Sequence, residues 1–127
     1  MEREFKEIAE HVVAQMREQL GVELKYDKAS IEWLDGYIER IRLELKKESY
    51  PKVATALGAY LGESIIATYG GAWASFDEMG QWGISFGGRS GVFPFSKVYK
   101  QLENGSEDSI LSLFTVLPVI FNQEKSE

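Results

Sequence analysis

One carboxylate stands alone in the longest part of the sequence that holds a single charged residue. Glu63 is the only charged residue in residues 53–76. A carboxylate on an apolar helix either has its pKa raised or finds a cationic or hydrogen-bonding partner, and perturbed groups of this kind cluster at functional sites. The next basic residues along the chain are Arg89, Lys97 and Lys100. Glu63 is therefore predicted either to form a structural ion pair with one of them or to act on a ligand as an acid or base.

Two tryptophans and the same basic residues are the other candidates for binding. Trp73 and Trp82 have the side chains to line a pocket, and Arg89 or Lys97 could hold an anionic substrate there. Lys100 adds to a locally positive stretch, because residues 79–102 contain no acidic residue. The alternatives stay open: the tryptophans are core residues, and Arg89 belongs to a flexible glycine-rich loop.

The sequence lacks the residues on which most catalytic chemistry depends. The chain has no cysteine and a single histidine, His11, so thiolate metal sites, thiol nucleophiles and a histidine-based triad are not expected. The sequence therefore assigns no catalytic residue and predicts no metal and no cofactor.

Size and charge restrict the class of protein. The 127 residues, 44% of them hydrophobic, are enough for one domain with a core. Acidic residues outnumber basic ones by 20 to 14, and the net charge of -6 argues against nucleic acid as a partner. The apolar stretch 110–121 is shorter than the ~20 residues that span a bilayer. With a charged opening segment and no export signal, the sequence predicts a cytoplasmic protein without membrane contact.

Three helices are predicted to precede the sheet. Apolar residues at helical spacing predict the first over 2–20, ended by Gly21, and the second after Asp27 or Ser30 and on to Leu45. Trp33 and Tyr37 form a flanking stripe on the second helix, which belongs either to the core or to an interface. The third helix, 51–69, is predicted to be central and buried, with Gly58 and Gly62 permitting close approach of another element.

After residue 71 the spacing of apolar residues changes from 3.6 to 2. Alternating apolar residues predict a hairpin, with strands at 72–76 and 81–86 around a turn at 77–80. Residues 92–95 are predicted to form a short edge strand or an extended segment. A short helix capped by Ser96 is expected to run through Leu102 and to be ended by Asn104-Gly105, and a last helix to run from a Ser106 cap to Pro118. The predicted fold is α+β: N-terminal helices and a central buried helix packed on a small antiparallel sheet, followed by a short helix and a C-terminal helix.

The chain is predicted to be a single domain, 1–127. Within it, the charge distribution separates an amphipathic helical part, 1–50, from a core part, 51–122, that holds the central helix, hairpin and C-terminal helices. Residues 123–127 are expected to form a frayed tail.

Several short motifs resemble those of a family of small bacterial proteins of uncharacterised function. They are SIEWLDGYI at 30–38, LGAYLGE at 57–63, YGGAW at 69–73, PFSKVYK at 94–100, and the pairs Asn104-Gly105 and Asp108-Ser109, which together cover about 28–117. The resemblance implies a compact α+β domain without an established activity. It emphasises Glu63, Trp73 and Lys97 as motif positions and implies no catalytic role.

Two functions follow as expectations. The first is a non-enzymatic protein-interaction module, like an immunity protein or a dedicated chaperone, because catalytic motifs are missing and an acidic surface suits a basic protein partner. A homodimer is an open possibility within this class. The alternative is a small-molecule binder or carboxylate-dependent enzyme with a pocket around Glu63.

Overall fold

A computed structural model describes residues 1–76, 80–87 and 91–125, with side chains as far as Ile120. Within this part, five helices pack on a small three-stranded antiparallel sheet, which confirms the predicted α+β class. The elements in chain order are α1 Glu2–Leu20, α2 Lys28–Ile41, α3 Tyr50–Tyr69, β1 Ala72–Ser75, β2 Trp82–Ser85, β3 Gly91–Val92, α4 Pro94–Asn104 and α5 Ile110–Lys125. None of the described helices is both long enough and apolar enough to cross a membrane.

The first two helices begin and end through local backbone chemistry. Gly21 follows α1 with a φ of 66°, and its N–H bonds to the carbonyl of Arg17, as predicted for a glycine that ends a helix. The carboxylate of Asp27 accepts the N–H of Ser30 at 2.9 Å and caps α2. Helix α2 then ends at Ile41, so the prediction that it continues to Leu45 was wrong.

Helix α3 is the central element, as its composition predicted. Tyr60, Leu61 and Ile65 are fully buried. A Cβ on Gly58 would lie 2.7 Å from the Cα of Phe95, and one on Gly62 would overlap the ring of Trp73. The two glycines therefore let α4 and β1 approach α3 more closely than any side chain would permit.

The sheet has the order β1-β2-β3 with antiparallel pairing throughout. In its register Trp73 faces Ile84 of β2, and Ile84 faces Val92 of β3. The two predicted hairpin strands are therefore confirmed as a pair. Three residues of the predicted turn, 77–79, lie outside the described residues.

Helix α4 begins earlier than predicted. Pro94 is its first residue, where a missing N–H costs nothing, and the expected edge strand at 92–95 is reduced to β3. Ser96 is the third residue of this helix, and Phe93 occupies the cap position instead. The helix runs to Asn104, two residues beyond the predicted Leu102, and Gly105 follows it with a φ of 75°, so the predicted stop at Asn104-Gly105 is confirmed.

Helix α5 begins later than predicted, because Ser109 caps it in place of Ser106 and side chains of other elements complete the cap. Residues 105–108 form a 3-10 turn, so Ser106 is not the cap. Instead, the first N–H groups of α5 are accepted by the side chains of three residues. Gln101 Oε1 accepts from Ile110 at 2.9 Å, Asp35 Oδ1 from Leu111 at 3.3 Å, and Ser109 Oγ from Ser112 at 3.2 Å. Residues on α2 and α4 thus stabilise the start of α5.

Helix α5 also continues through Pro118 to Lys125, although proline was expected to end it. Proline has no N–H, so the carbonyl of Phe114, four residues earlier, loses its helical donor. The hydroxyl of Tyr69 donates to that carbonyl at 2.7 Å. The helix persists because α3 supplies the missing hydrogen bond. The predicted frayed tail, 123–127, falls partly outside the described residues.

Candidate functional site

Glu63 is half-buried, and its described partner is an aromatic N–H. Its Oε2 accepts a hydrogen bond from Nε1 of Trp73 at 2.7 Å. Among the described residues no ion pair includes Glu63. Lys97 pairs with Asp108 instead, at 3.6 Å, and Arg89 lies outside the described residues. The carboxylate therefore accepts a hydrogen bond from an indole and does not pair with either of the two lysines expected from the sequence.

Trp73 and Trp82 belong to an aromatic cluster inside the fold. The ring of Phe5, on α1, lies 4.6 Å from the ring of Trp73 and 5.6 Å from that of Trp82. Phe95, at the start of α4, stacks on Trp73 at 5.4 Å. Trp73 is buried and Trp82 is half-buried. Their rings therefore pack between α1, α4 and the sheet and hold these elements together.

The surroundings of Glu63 are negatively charged. Burial raises the pKa of the Tyr26 hydroxyl, and the carboxylates of Glu10 and Glu63 raise it further. Two carboxylates from α1 and α3 therefore act on one neighbourhood. An anionic substrate would be repelled there, because the described residues place no cation against either carboxylate.

The described acidic and histidine side chains include no group of three or more placed to hold a metal ion. The pair Asp35 and Glu39 illustrates why. Both carboxylates accept hydrogen bonds from Nε2 of the buried Gln101, each at 3.1 Å, and Asp35 also accepts the hydroxyl of Ser109 at 2.6 Å. These carboxylates hold α2 against α4 and α5.

A different surface has the composition of a binding site. Helices α1, α2 and α3 enclose an open apolar groove of about 300 Å³, named here the helical groove. Its exposed or half-buried lining residues are His11 and Gln15 from α1, Tyr37 and Ile41 from α2, Leu45 after α2, and Val53 and Ala56 from α3. Apolar clefts of this size are typical of binding sites.

The α2 edge of the helical groove carries a stacked aromatic pair with an arginine, which we name the aromatic edge. The rings of Trp33 and Tyr37 lie 5.2 Å apart and nearly parallel, and the guanidinium of Arg40 lies 5.9 Å from each ring centre. Both rings are half-buried and Arg40 is exposed. Tryptophan, tyrosine and arginine are the residues most often found at binding hot spots. Sequence reasoning noted the two rings but missed Arg40, although the spacing 33, 37 and 40 places all three on one helix face.

The α1 edge of the helical groove is acidic. Glu4, His11 and Glu18 lie seven residues apart on α1, so they share one stripe of the helix, and all three are exposed. Because His11 lines the helical groove, the two carboxylates flank the same edge. The helical groove is thus bordered by aromatic rings on α2 and by negative charge on α1.

Lys97 and Lys100 border a second groove, between β3, α4 and α5. It shares no lining residue with the helical groove, and Glu63 and Trp73 line neither. The five candidates among the described residues therefore do not form one site: Glu63, Trp73 and Trp82 lie at the aromatic cluster, and the two lysines lie at the second groove. The sixth candidate, Arg89, lies outside the described residues.

Comparison with known proteins identifies no relative of this chain. No protein-family model matches the chain, and no curated protein and no solved structure matches it. The resemblance of residues 28–117 to small bacterial proteins therefore stays a prediction from the sequence.

Proposed function

We propose that this protein is an interaction module that binds an amphipathic, basic helical segment of a protein partner in the helical groove. The observation that carries the proposal is the aromatic edge. Trp33, Tyr37 and Arg40 combine the hot-spot residue types, and Tyr37 belongs to the stack and to the apolar lining at once.

The chemistry of the segment follows from the two edges. An amphipathic helix inserts its apolar face into a hydrophobic groove through residues spaced three or four apart. The floor, formed by side chains such as Ile41 and Val53, accepts that face. Lysine or arginine residues beside it would contact Glu4 and Glu18 on α1, and the net charge of -6 would steer a basic partner toward this protein.

The test starts from a defined probe. A fluorescent amphipathic peptide of leucine and lysine, titrated with the protein and followed by anisotropy, is expected to bind, whereas the matched leucine–glutamate peptide is not. Tyr37→Ala is expected to weaken binding about thirtyfold, as loss of a hot-spot tyrosine does. A Glu4→Gln/Glu18→Gln double variant should weaken it less and remove most of the salt dependence. Thr115→Ala, on the exposed face of α5, is the matched control.

A second experiment identifies the natural partner segment. A photo-crosslinking residue at Gln15, inside the helical groove, is compared with one at Thr115 in host lysate. Segments captured only from Gln15 should carry apolar residues three or four apart with flanking lysine or arginine. Equal capture at both positions, captured segments without that pattern, or peptide binding unaffected by Tyr37→Ala in a variant that still folds would overturn the proposal.

The alternative, a small-molecule binder or carboxylate-dependent enzyme around Glu63, has less support. One carboxylate oxygen already accepts the indole N–H of Trp73, and Glu10 makes the neighbourhood more negative. Glu63→Gln keeps an oxygen acceptor for the indole, so it separates the two roles. A folded Glu63→Gln variant that had lost a measured activity would favour the alternative.

A further inference from the structure

The second groove joins apolar walls to two lysines. Its volume is about 310 Å³, and it lies between β3, α4 and α5. Half-buried apolar side chains from β3 and its following residue and from α5 form the walls: Val92, Phe93, Leu113 and Ile120. Lys97 and Lys100 reach it from α4. We name this surface the lysine groove.

Among the described charges around the lysine groove, one lysine is left uncompensated. Asp108 lies 3.6 Å from Nζ of Lys97, and its other oxygen accepts the amide of Asn104 at 2.8 Å. The hydrogen bond from Asn104 is the main cause that lowers the pKa of the Asp108 carboxyl, and the positive charges of Lys97 and Lys100 lower it further. Both ammonium groups therefore act on one carboxylate. Within the described part of the chain Lys100 is in no ion pair, and it is exposed.

The nearby acidic residue on α4 is already paired. Glu103 lies 3.5 Å from Nζ of Lys47, on the connection between α2 and α3. Among the described side chains, two lysines face one carboxylate, which leaves a single positive charge beside an apolar surface. A monoanion with an apolar body would neutralise that charge and cover the exposed walls at the same time.

We infer that the lysine groove binds a small amphiphilic carboxylate, with the acid group at Lys100 and the apolar body between β3 and α5. Lys97 contributes its aliphatic stem and part of its charge, since its ammonium group has donors beyond the one that faces Asp108. This site is separate from the helical groove, so it stands whether or not the proposed protein partner binds.

Octanoate, kept below its micelle concentration, is the probe that tests the inference. It is titrated into labelled protein, and amide chemical shifts are followed by NMR. Saturable shifts are expected at Ser96, Lys100 and Leu113 and not at the helical groove. Octanol has the same chain without the charge and should bind at least about tenfold more weakly, the loss expected for one charge-assisted contact.

Variants of the exposed Lys100 keep the test independent of folding. Lys100→Gln should weaken octanoate binding about tenfold and leave octanol unchanged, whereas Lys100→Arg should retain most of the affinity. Lys46→Gln, an exposed lysine outside the lysine groove, is the matched control. Equal binding of octanol and octanoate, no effect of Lys100→Gln, shifts located elsewhere, or no saturable binding would each overturn the inference.

Discussion

Glu63 and Trp73 satisfy each other's polar groups. Trp73 is only 6% exposed, so its N–H requires a partner inside the protein, and the half-buried carboxylate supplies one at 2.7 Å. A carboxylate that accepts a hydrogen bond needs no ion-pair partner to be tolerated at a helix surface. The isolated charge that identified Glu63 in the sequence is thus explained by a residue ten positions later.

Removal of the acceptor is expected to destabilise the fold. Glu63→Leu leaves the indole N–H of Trp73 without its partner and should lower the free energy of unfolding by about 1–3 kcal/mol, whereas Glu63→Gln, which keeps an acceptor oxygen, should cost less than about 1 kcal/mol. Urea denaturation measures both.

A double-mutant cycle with Trp73→Phe separates this contact from other effects of the substitution. In the Trp73→Phe background the donor is absent, so Glu63→Leu should cost little. Glu32→Leu, at an exposed position on α2, is the control and should change the free energy by no more than about 0.5 kcal/mol. An equal cost of Glu63→Leu in both backgrounds would show that the indole contact contributes nothing.

At the scale of elements, the sequence predicts best what local chemistry decides. The ends of α1 at Gly21 and of α4 at Gly105 follow from glycine at positive φ, and the start of α2 from Asp27. The glycines of α3 also indicated the close approach of other elements, which the structure confirms at Phe95 and Trp73.

Long-range contacts account for what the sequence could not predict. Helix α5 begins at Ile110 because Gln101, nine residues earlier, and Asp35, far away in sequence, accept its first N–H groups beside the local cap at Ser109. Contacts between elements also explain why the predicted site residues lie apart. Lys97 forms an ion pair with Asp108, and Glu63 accepts a hydrogen bond from the indole of Trp73. Arg40 was missed because an exposed arginine is informative only once the stack beneath it is known.

The passage of α5 through Pro118 gives a prediction at the same scale. Tyr69→Phe removes the hydroxyl that donates to the Phe114 carbonyl and should destabilise the protein by about 1–3 kcal/mol. Pro118→Ala restores a backbone N–H that can donate to that carbonyl, so Tyr69→Phe should cost at least about 1 kcal/mol less in this background. Chemical denaturation of the four chains measures the coupling. Additive effects would mean that Tyr69 does not compensate for the proline.

At the scale of the whole molecule, two tyrosine hydroxyls on α3 connect distant segments. Tyr60 donates to the carbonyl of Lys25 before α2, and Tyr69 donates to the carbonyl of Phe114 in α5. Burial raises the pKa of Tyr60 to about 12 and also raises that of Tyr69. Both side chains must stay protonated to donate, so the same two hydrogen bonds that join α3 to its neighbours depend on pH.

The stability of the protein is therefore expected to decrease in alkali. Since the pKa of Tyr60 is raised by folding, the unfolded chain loses this proton first, near pH 10, and the folded chain only near pH 12. The contribution of Tyr60 is complete below about pH 10 and is lost between about pH 10 and 12, on the order of 3 kcal/mol at most. Lysines titrate in the same range, so the comparison between variants carries the test. The free energy of unfolding, measured by urea denaturation at each pH, should fall less steeply for Tyr60→Phe than for the parent, and Tyr69→Phe should change the slope in the same direction. Parallel curves for the parent and Tyr60→Phe would show that this hydroxyl does not govern the alkaline limit of the fold.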